Sequence, residues 1–146
     1  MSSAPSSSAA LEACLRLARA AATLTHRLDS RLGSLHGLSF NDFTLLLHLS
    51  RAEGGKLRRI DLAQRLGLSA SGVTRSLLPL EKIGLVSRQS DARDARVGYA
   101  VLTPAGLELL EHALVSAQQS AQEWLSPLPA PRFDQLSATL SVLTGE

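Results

Sequence analysis

This chain of 146 residues is short of several things that would have fixed its class at once: it has a single cysteine, a net charge of only +2, and no apolar run near the roughly 18 residues of a membrane span. The lone Cys14 excludes an intrachain disulfide framework and a cysteine-rich zinc site, and favours a reducing compartment. No Gly-rich phosphate loop, no G-x-S-x-G turn and no cysteine paired with a histidine is present, which speaks against an enzyme. His26, His36, His48 and His112 stand too far apart for an i, i+4 ligand pair, so no metal and no cofactor is expected. The N-terminus carries no positive region ahead of an apolar one. The expectation is a soluble cytoplasmic protein that does not enter membranes, with a short disordered Ser-rich leader over residues 1–8.

What is there is enough apolar content, 45%, for one ordinary domain, expected over residues 9–146. The charge is unevenly placed. Between Arg51 and Arg96 basic residues exceed acidic ones by five, whereas after Val97 the only basic residue, Arg132, faces five acidic ones. A basic centre on a mildly acidic scaffold fits a polyanion-binding core or, more blandly, a solvated basic surface.

Helix punctuation locates that centre. Leu11, Leu15, Ala18, Ala22, Leu28 and Leu32 recur at helical spacing with no Pro or Gly between them, predicting a helix over 9–32 that Gly33 ends. Ser39 followed by Asp42 predicts a capped helix running to about Arg51, Glu53-Gly54-Gly55 a turn, and Leu57-Arg58 a short edge strand. Ile60 to Leu66 reads as a helix closed by Gly67, and Ser69 caps the next, which buries Val73, Leu77, Leu80 and Ile83 along one stripe. This is a helix-turn-helix pattern. The opposite face of its second helix carries Ser69, Ser71, Thr74 and Arg75: short hydroxyls let backbone N–H groups approach a phosphate, and Arg75 reaches a guanine or a backbone oxygen. Pro79 removes an N–H bond to the Arg75 carbonyl and is expected to kink this helix or force a local readjustment. Arg58-Arg59, where a capping hydroxyl would be usual, either touch phosphate or stand exposed.

A charged hairpin follows directly. Leu85 to Gln89 and Val97 to Leu102 have strand character and flank the tip Asp91-Ala-Arg93-Asp94-Ala-Arg96. One aspartate can hold an arginine in a fixed pose while another arginine projects towards a narrow, electronegative minor groove. The blander reading is a solvated turn that keeps a sheet edge polar.

These residues resemble the MarR family of winged-helix transcriptional regulators. The matching positions are Leu38, Ser39, Asp42, Phe43 and Leu46; Leu62, Ala63 and Leu66; Ser69, Val73 to Arg75, Leu77, Leu80 and Glu81; Gly84 to Val86 and Arg88; Asp91, Arg93, Asp94 and Arg96; and Leu102, Thr103 and Gly106. The resemblance implies a mostly α fold with a small β-hairpin wing, in which a winged helix-turn-helix core, 38–102, carries long dimerisation helices at 9–32 and 104–143. It implies a homodimer on double-stranded DNA, with Ala70 to Ile83 in the major groove, Arg93 in the minor groove, and Arg96 bracing the wing through Asp94 or Asp61. Members commonly repress genes and release DNA on binding a small aromatic or amphipathic compound.

The flanks fit a dimer on their own pattern. Thr103-Pro104 starts a helix whose stripe of Leu107, Leu110, Leu114, Ala117, Ala121 and Trp124 or Leu125 continues until Pro127, and a last helix is expected over Arg132 to Leu143. Two-fold pairing is the commonest cover for such a face. Three sensing modes stay open: an organic ligand against Leu35, His36, Phe40, Phe43 and Leu47; thiol chemistry at Cys14, which lacks nearby tyrosines; and metal binding. A winged helix serving as a protein-binding adaptor without DNA is the remaining alternative.

Overall fold

Short side chains and glycines decide where the helices of this molecule begin and end. The computed structural model describes residues 3–146; Met1 and Ser2 of the expected leader lie outside the described residues. Helix α1, Ser7–His36, starts where the Ser6 hydroxyl accepts from the Ala9 N–H. It therefore takes in Ser7 and Ser8 of the expected leader. At its other end Gly33 does not terminate it. The helix runs on to Gly37, which takes the left-handed conformation (φ 70°) and lets Leu38 N–H bond the Leu32 carbonyl while Gly37 N–H bonds that of Gly33. Gly33 has no need of positive φ, and its cost inside a helix is only about 1 kcal/mol.

Helix α2, Phe40–Arg51, carries the anticipated capping box: Asp42 N–H donates to the Ser39 hydroxyl, and Ser39 N–H donates to the Asp42 carboxylate. A 3-10 turn, Glu53–Gly55, leads into strand β1, Lys56–Arg58. Helix α3, Arg59–Leu66, closes at Gly67, and α4, Ala70–Lys82, is capped by the Ser69 hydroxyl. Strands β2, Val86–Ser90, and β3, Gly98–Leu102, form the hairpin, with Val86 opposite Leu102 and Ser90 opposite Gly98. The sheet order is β1-β3-β2, antiparallel throughout. Helices α5, Pro104–Leu125, and α6, Ala130–Thr144, complete the chain; α6 begins two residues before the expected Arg132.

The core lies where α2, α3, α4 and the sheet converge and continues between α1 and α5; Leu32, Leu45, Leu46, Leu49, Leu62 and Leu77 have no exposed surface. One sequence expectation fails here. Ile83 is 66% exposed, because α4 stops at Lys82 and the chain turns so that Leu85 N–H bonds the Leu80 carbonyl; Leu85 then fills the place beyond Leu80 that the stripe gave to Ile83. Leu11 and Leu15 are 59% and 54% exposed, since the first half of α1 extends past the elements that cover Leu28 and Leu32.

The start of α5 is fastened to the end of the helix-turn-helix. The Thr103 hydroxyl caps α5 by accepting from Gly106 N–H, and lies 2.6 Å from the Gly84 carbonyl and 3.0 Å from that of Leu85. A Cβ on Gly106 would come within 2.1 Å of the Leu85 carbonyl oxygen, so this close approach requires glycine. The flanking helix and the winged core thus meet in a rigid joint.

Candidate nucleic-acid interface

The exposed face of α4 presents Ser69, Ser71 and Arg75, with Thr74 half-buried beside them. The Ser69 hydroxyl accepts from Gly72 N–H and lies 3.2 Å from the Ser71 hydroxyl, leaving other N–H groups of this helix start open to an incoming acceptor. Arg75 makes no ion pair or side-chain hydrogen bond among the described residues. Thr74 is more committed: its hydroxyl donates to the Ala70 carbonyl at 3.1 Å and accepts from Arg59 Nη2 at 2.8 Å. Its donor is therefore already used, and only the methyl and one lone pair remain for a ligand. Pro79 does not break α4, which continues to Lys82; Arg75 and Pro79 share the exposed side, where solvent can take the carbonyl that the proline leaves without an N–H.

The wing tip is built by its two aspartates. Asp91 Oδ1 accepts from the N–H groups of Arg93 (2.7 Å) and Asp94 (3.1 Å), while its Oδ2 accepts from the Tyr99 hydroxyl (3.0 Å). Asp94 accepts from Arg96 N–H and takes a two-pronged bond from the Arg96 guanidinium, each prong 3.0 Å. The Arg93 N–H holds the Asp91 carboxyl below its ordinary value, with the Tyr99 hydroxyl and the Asp94 N–H adding to it. The Arg96 guanidinium does the same for Asp94, and Asp94 in turn raises Arg96. Tyr99 is pushed up by donating to Asp91. With both carboxylates occupied, Arg93 is the tip cation whose side chain no carboxylate holds among the described residues. Arg96, though 91% exposed, is tied to Asp94 and not to Asp61, which pairs with Arg58. Lys56 lies over the Tyr99 ring at 4.9 Å, adding a cation at the wing's base.

Sequence reading missed the role of Arg59. It stands neither free nor at the surface edge: only 24% of its side chain is exposed, and it sits between Thr74 and Glu81, whose carboxylate is also gripped by Arg88 Nε at 3.0 Å to each oxygen. Glu81 is the signal that could have found it, as an acid on the inner side of α4 needing cations from elsewhere.

The expected ligand residues divide. Phe40, Phe43 and Leu47 line an apolar cleft of about 380 Å³, together with Leu24, Leu28, Leu114, Ala117, Gln118, Ala121, Trp124 and Leu125, and with Leu136 and Leu140 of α6. Leu35 and His36 do not: Leu35 faces outward, and His36 Nε2 lies 2.8 Å from the Ser116 hydroxyl. The apolar stripe of α5 was the available sign of the lining that was missed. Cys14 is exposed on α1, and the chain's one tyrosine is engaged in the wing. Among the described residues no group of three or more His, Cys, Asp or Glu could hold a metal ion, and no helix is long and apolar enough to cross a membrane.

Comparison with known proteins bears on the fold that carries these residues. Residues 36–97 match a family model described as MarR family. A Bacillus subtilis (strain 168) protein named uncharacterized HTH-type transcriptional regulator YdgJ is 30% identical over 94 residues, a stretch that is 64% of this chain and 56% of that protein. The crystal structure of AbsC, a MarR family transcriptional regulator from Streptomyces coelicolor, superposes with a TM-score of 0.82 at 27% identity, covering 99% of this chain and 96% of that one. Sco3205, a MarR family transcriptional regulator from the same organism solved in complex with DNA, gives 0.84 at 23% identity, covering 92% and 88%. These relatives are named as transcriptional regulators. The winged core of this chain, residues 36–97, thus matches the MarR family model, and its fold from α1 to α6 is that of these MarR family transcriptional regulators.

Proposed function

We propose that this chain works as a homodimer that binds a pseudo-palindromic operator in double-stranded DNA, with α4 in the major groove and Arg93 of the wing in the minor groove, and that it acts as a repressor in the cytoplasm. The observation that carries the reading is the tip itself. Two carboxylates fold the turn and lock Arg96, and a single arginine is left projecting at the end of a rigid ribbon. A minor groove narrowed by A·T runs concentrates negative potential and suits such a side chain. Sco3205, which shares the fold, was solved on DNA.

A homodimer is supported by the outer faces of the flanking helices. Leu11, Leu15 and Leu17 of α1 and Val142 and Leu143 of α6 are exposed, and α6 buries no residue within the chain. Isolated apolar residues need no cover, but two helices carrying them in rows do. The apolar cleft beside Phe40 and Phe43 is of the size that holds small organic molecules, and a small aromatic or amphipathic effector seated there would bear on α2 and α5 together. By that route it would shift the spacing of the two recognition helices.

The test is fluorescence anisotropy across a salt series, using a duplex enriched by this protein from a random-sequence pool and a scrambled duplex of equal length. Saturable binding that prefers the enriched duplex and weakens steeply with salt is expected. Equal weak binding to both would remove operator recognition and leave the adaptor reading.

A further inference from the structure

We infer that Arg59 is a positioning residue for DNA reading: it pins the recognition helix to the base of the wing and does not itself contact DNA. The inference rests on the DNA-binding reading above and adds to it what sets the aim of the reading helix.

Arg59 is the first residue of α3, and its guanidinium reaches α4 at two places. Nη2 donates to Thr74 Oγ1 at 2.8 Å, and Nη1 lies 3.6 Å from Glu81 Oε1. Nη1 has no solvent-exposed surface and no hydrogen bond other than this ion-pair approach, so it is not available to a phosphate. The stem runs beneath the wing: a Cβ placed on Gly98, the first residue of β3, would stand 3.2 Å from Arg59 Cδ. Glu81 is held from the other side by Arg88 of β2. One side chain thus bonds the second turn of α4, approaches its last turn, and lies beside the strand that leads out of the wing tip.

Thr74 and Glu81 are seven residues apart, about 10 Å along a helix. A helix fastened to one body at two points so far apart cannot roll about its own axis or tilt without breaking one of them. The Glu81–Arg88 pair alone fixes the C-terminal end, where no reading residue lies. Arg59 adds the second point at the N-terminal half, next to Ser71 and Arg75. Rolling of α4 would carry Ser71 and Arg75 off their base edges while leaving Arg93 and the overall positive field in place. Sequence discrimination depends on the former and non-specific affinity on the latter. A planar guanidinium suits the task because it presents several donors in a fixed fork; a lysine ammonium could reach Thr74 or Glu81 but not hold both in one geometry.

The experiment compares wild type, Arg59→Leu and Arg59→Lys. Each is titrated against the duplex enriched by the wild-type protein and against its scrambled counterpart across a salt series. Arg59→Leu should lower the ratio of enriched to scrambled affinity by about tenfold or more, with scrambled-duplex binding and the salt slope unchanged. Arg59→Lys should fall between it and wild type. Equal loss on both duplexes at an unchanged slope would mean a merely structural role, and a slope shallower by about 1 would mean a phosphate contact; either overturns the inference, as does an unchanged ratio. Failure of the wild-type protein to enrich any sequence would instead overturn the DNA-binding reading itself, and the inference with it.

Discussion

The winged core and the helices that flank it treat the same kind of residue in opposite ways. In the core Leu45, Leu46, Leu62 and Leu77 lose all their exposed surface within one chain, whereas Leu11 and Leu15 at one end, and Val142 and Leu143 at the other, keep more than half of theirs. The polar residues differ in parallel. In the core they tie neighbouring elements together, as in Arg59 to Thr74 and Glu81 to Arg88, while α6 lacks even a side-chain cap at its start. The difference teaches that the winged core is complete within one chain. The flanks are built for contact with something else, which the proposed dimer supplies.

The sharpest way to break the comparison is to attack the two regions separately. Gly106→Ala drives a methyl into the Leu85 carbonyl at the joint between them and should cost about 3 kcal/mol or more in urea unfolding. Leu77→Ala, within the core, should cost about 2–5 kcal/mol. Little or no loss at either position would mean that the packing around α4 and the joint is looser than described. On the flank, Leu15→Glu should leave the circular dichroism of the monomer unaltered yet raise the dimer dissociation constant by at least about tenfold in sedimentation, since it places a charge on a face due to be covered. An unchanged sedimentation profile would place the partner surface elsewhere.

Smaller effects test the wing. Arg93→Ala should weaken binding to the enriched duplex by about 1–3 kcal/mol with a shallower salt slope, while Cys14→Ser on the flank should leave DNA affinity unchanged within error. Acid gives a subtler probe. Asp91 and Asp94 both titrate below the ordinary aspartate value of 3.8 in the folded tip. Their contribution is therefore present above that value and lost as pH falls through the lowered ones. Amide shifts of Arg93 and Arg96 should hold steady to about pH 4 and change below it, and a midpoint at or above the ordinary value would contradict the hydrogen bonding seen at the tip.

How much of this was legible in the sequence depended on range. Ser39 with Asp42, Ser69, and Thr103 with Pro104 announced their helix starts because a cap acts within three residues. The Asp-Arg alternation of the wing was equally local. Gly33 misled because a glycine inside a helix looks like one that ends it, and only the bonds at Gly37 and Leu38 separate the two. Ile83 continued the stripe on paper, but the turn beyond Lys82 gave its place to Leu85. The cleft and the Arg59 network were hidden for one reason: they join α2 to α6, and α3 to α4 and β2, at separations that no local pattern encodes.

Hydroxyl-radical footprinting of the enriched duplex with wild type and Arg93→Ala, each at saturation, tests the central claim most directly. The account predicts two half-sites about one helical turn apart, each flanked by a minor-groove protection that disappears in Arg93→Ala while the rest of the footprint persists. A single protected half-site, or a footprint identical in the two proteins, would contradict it.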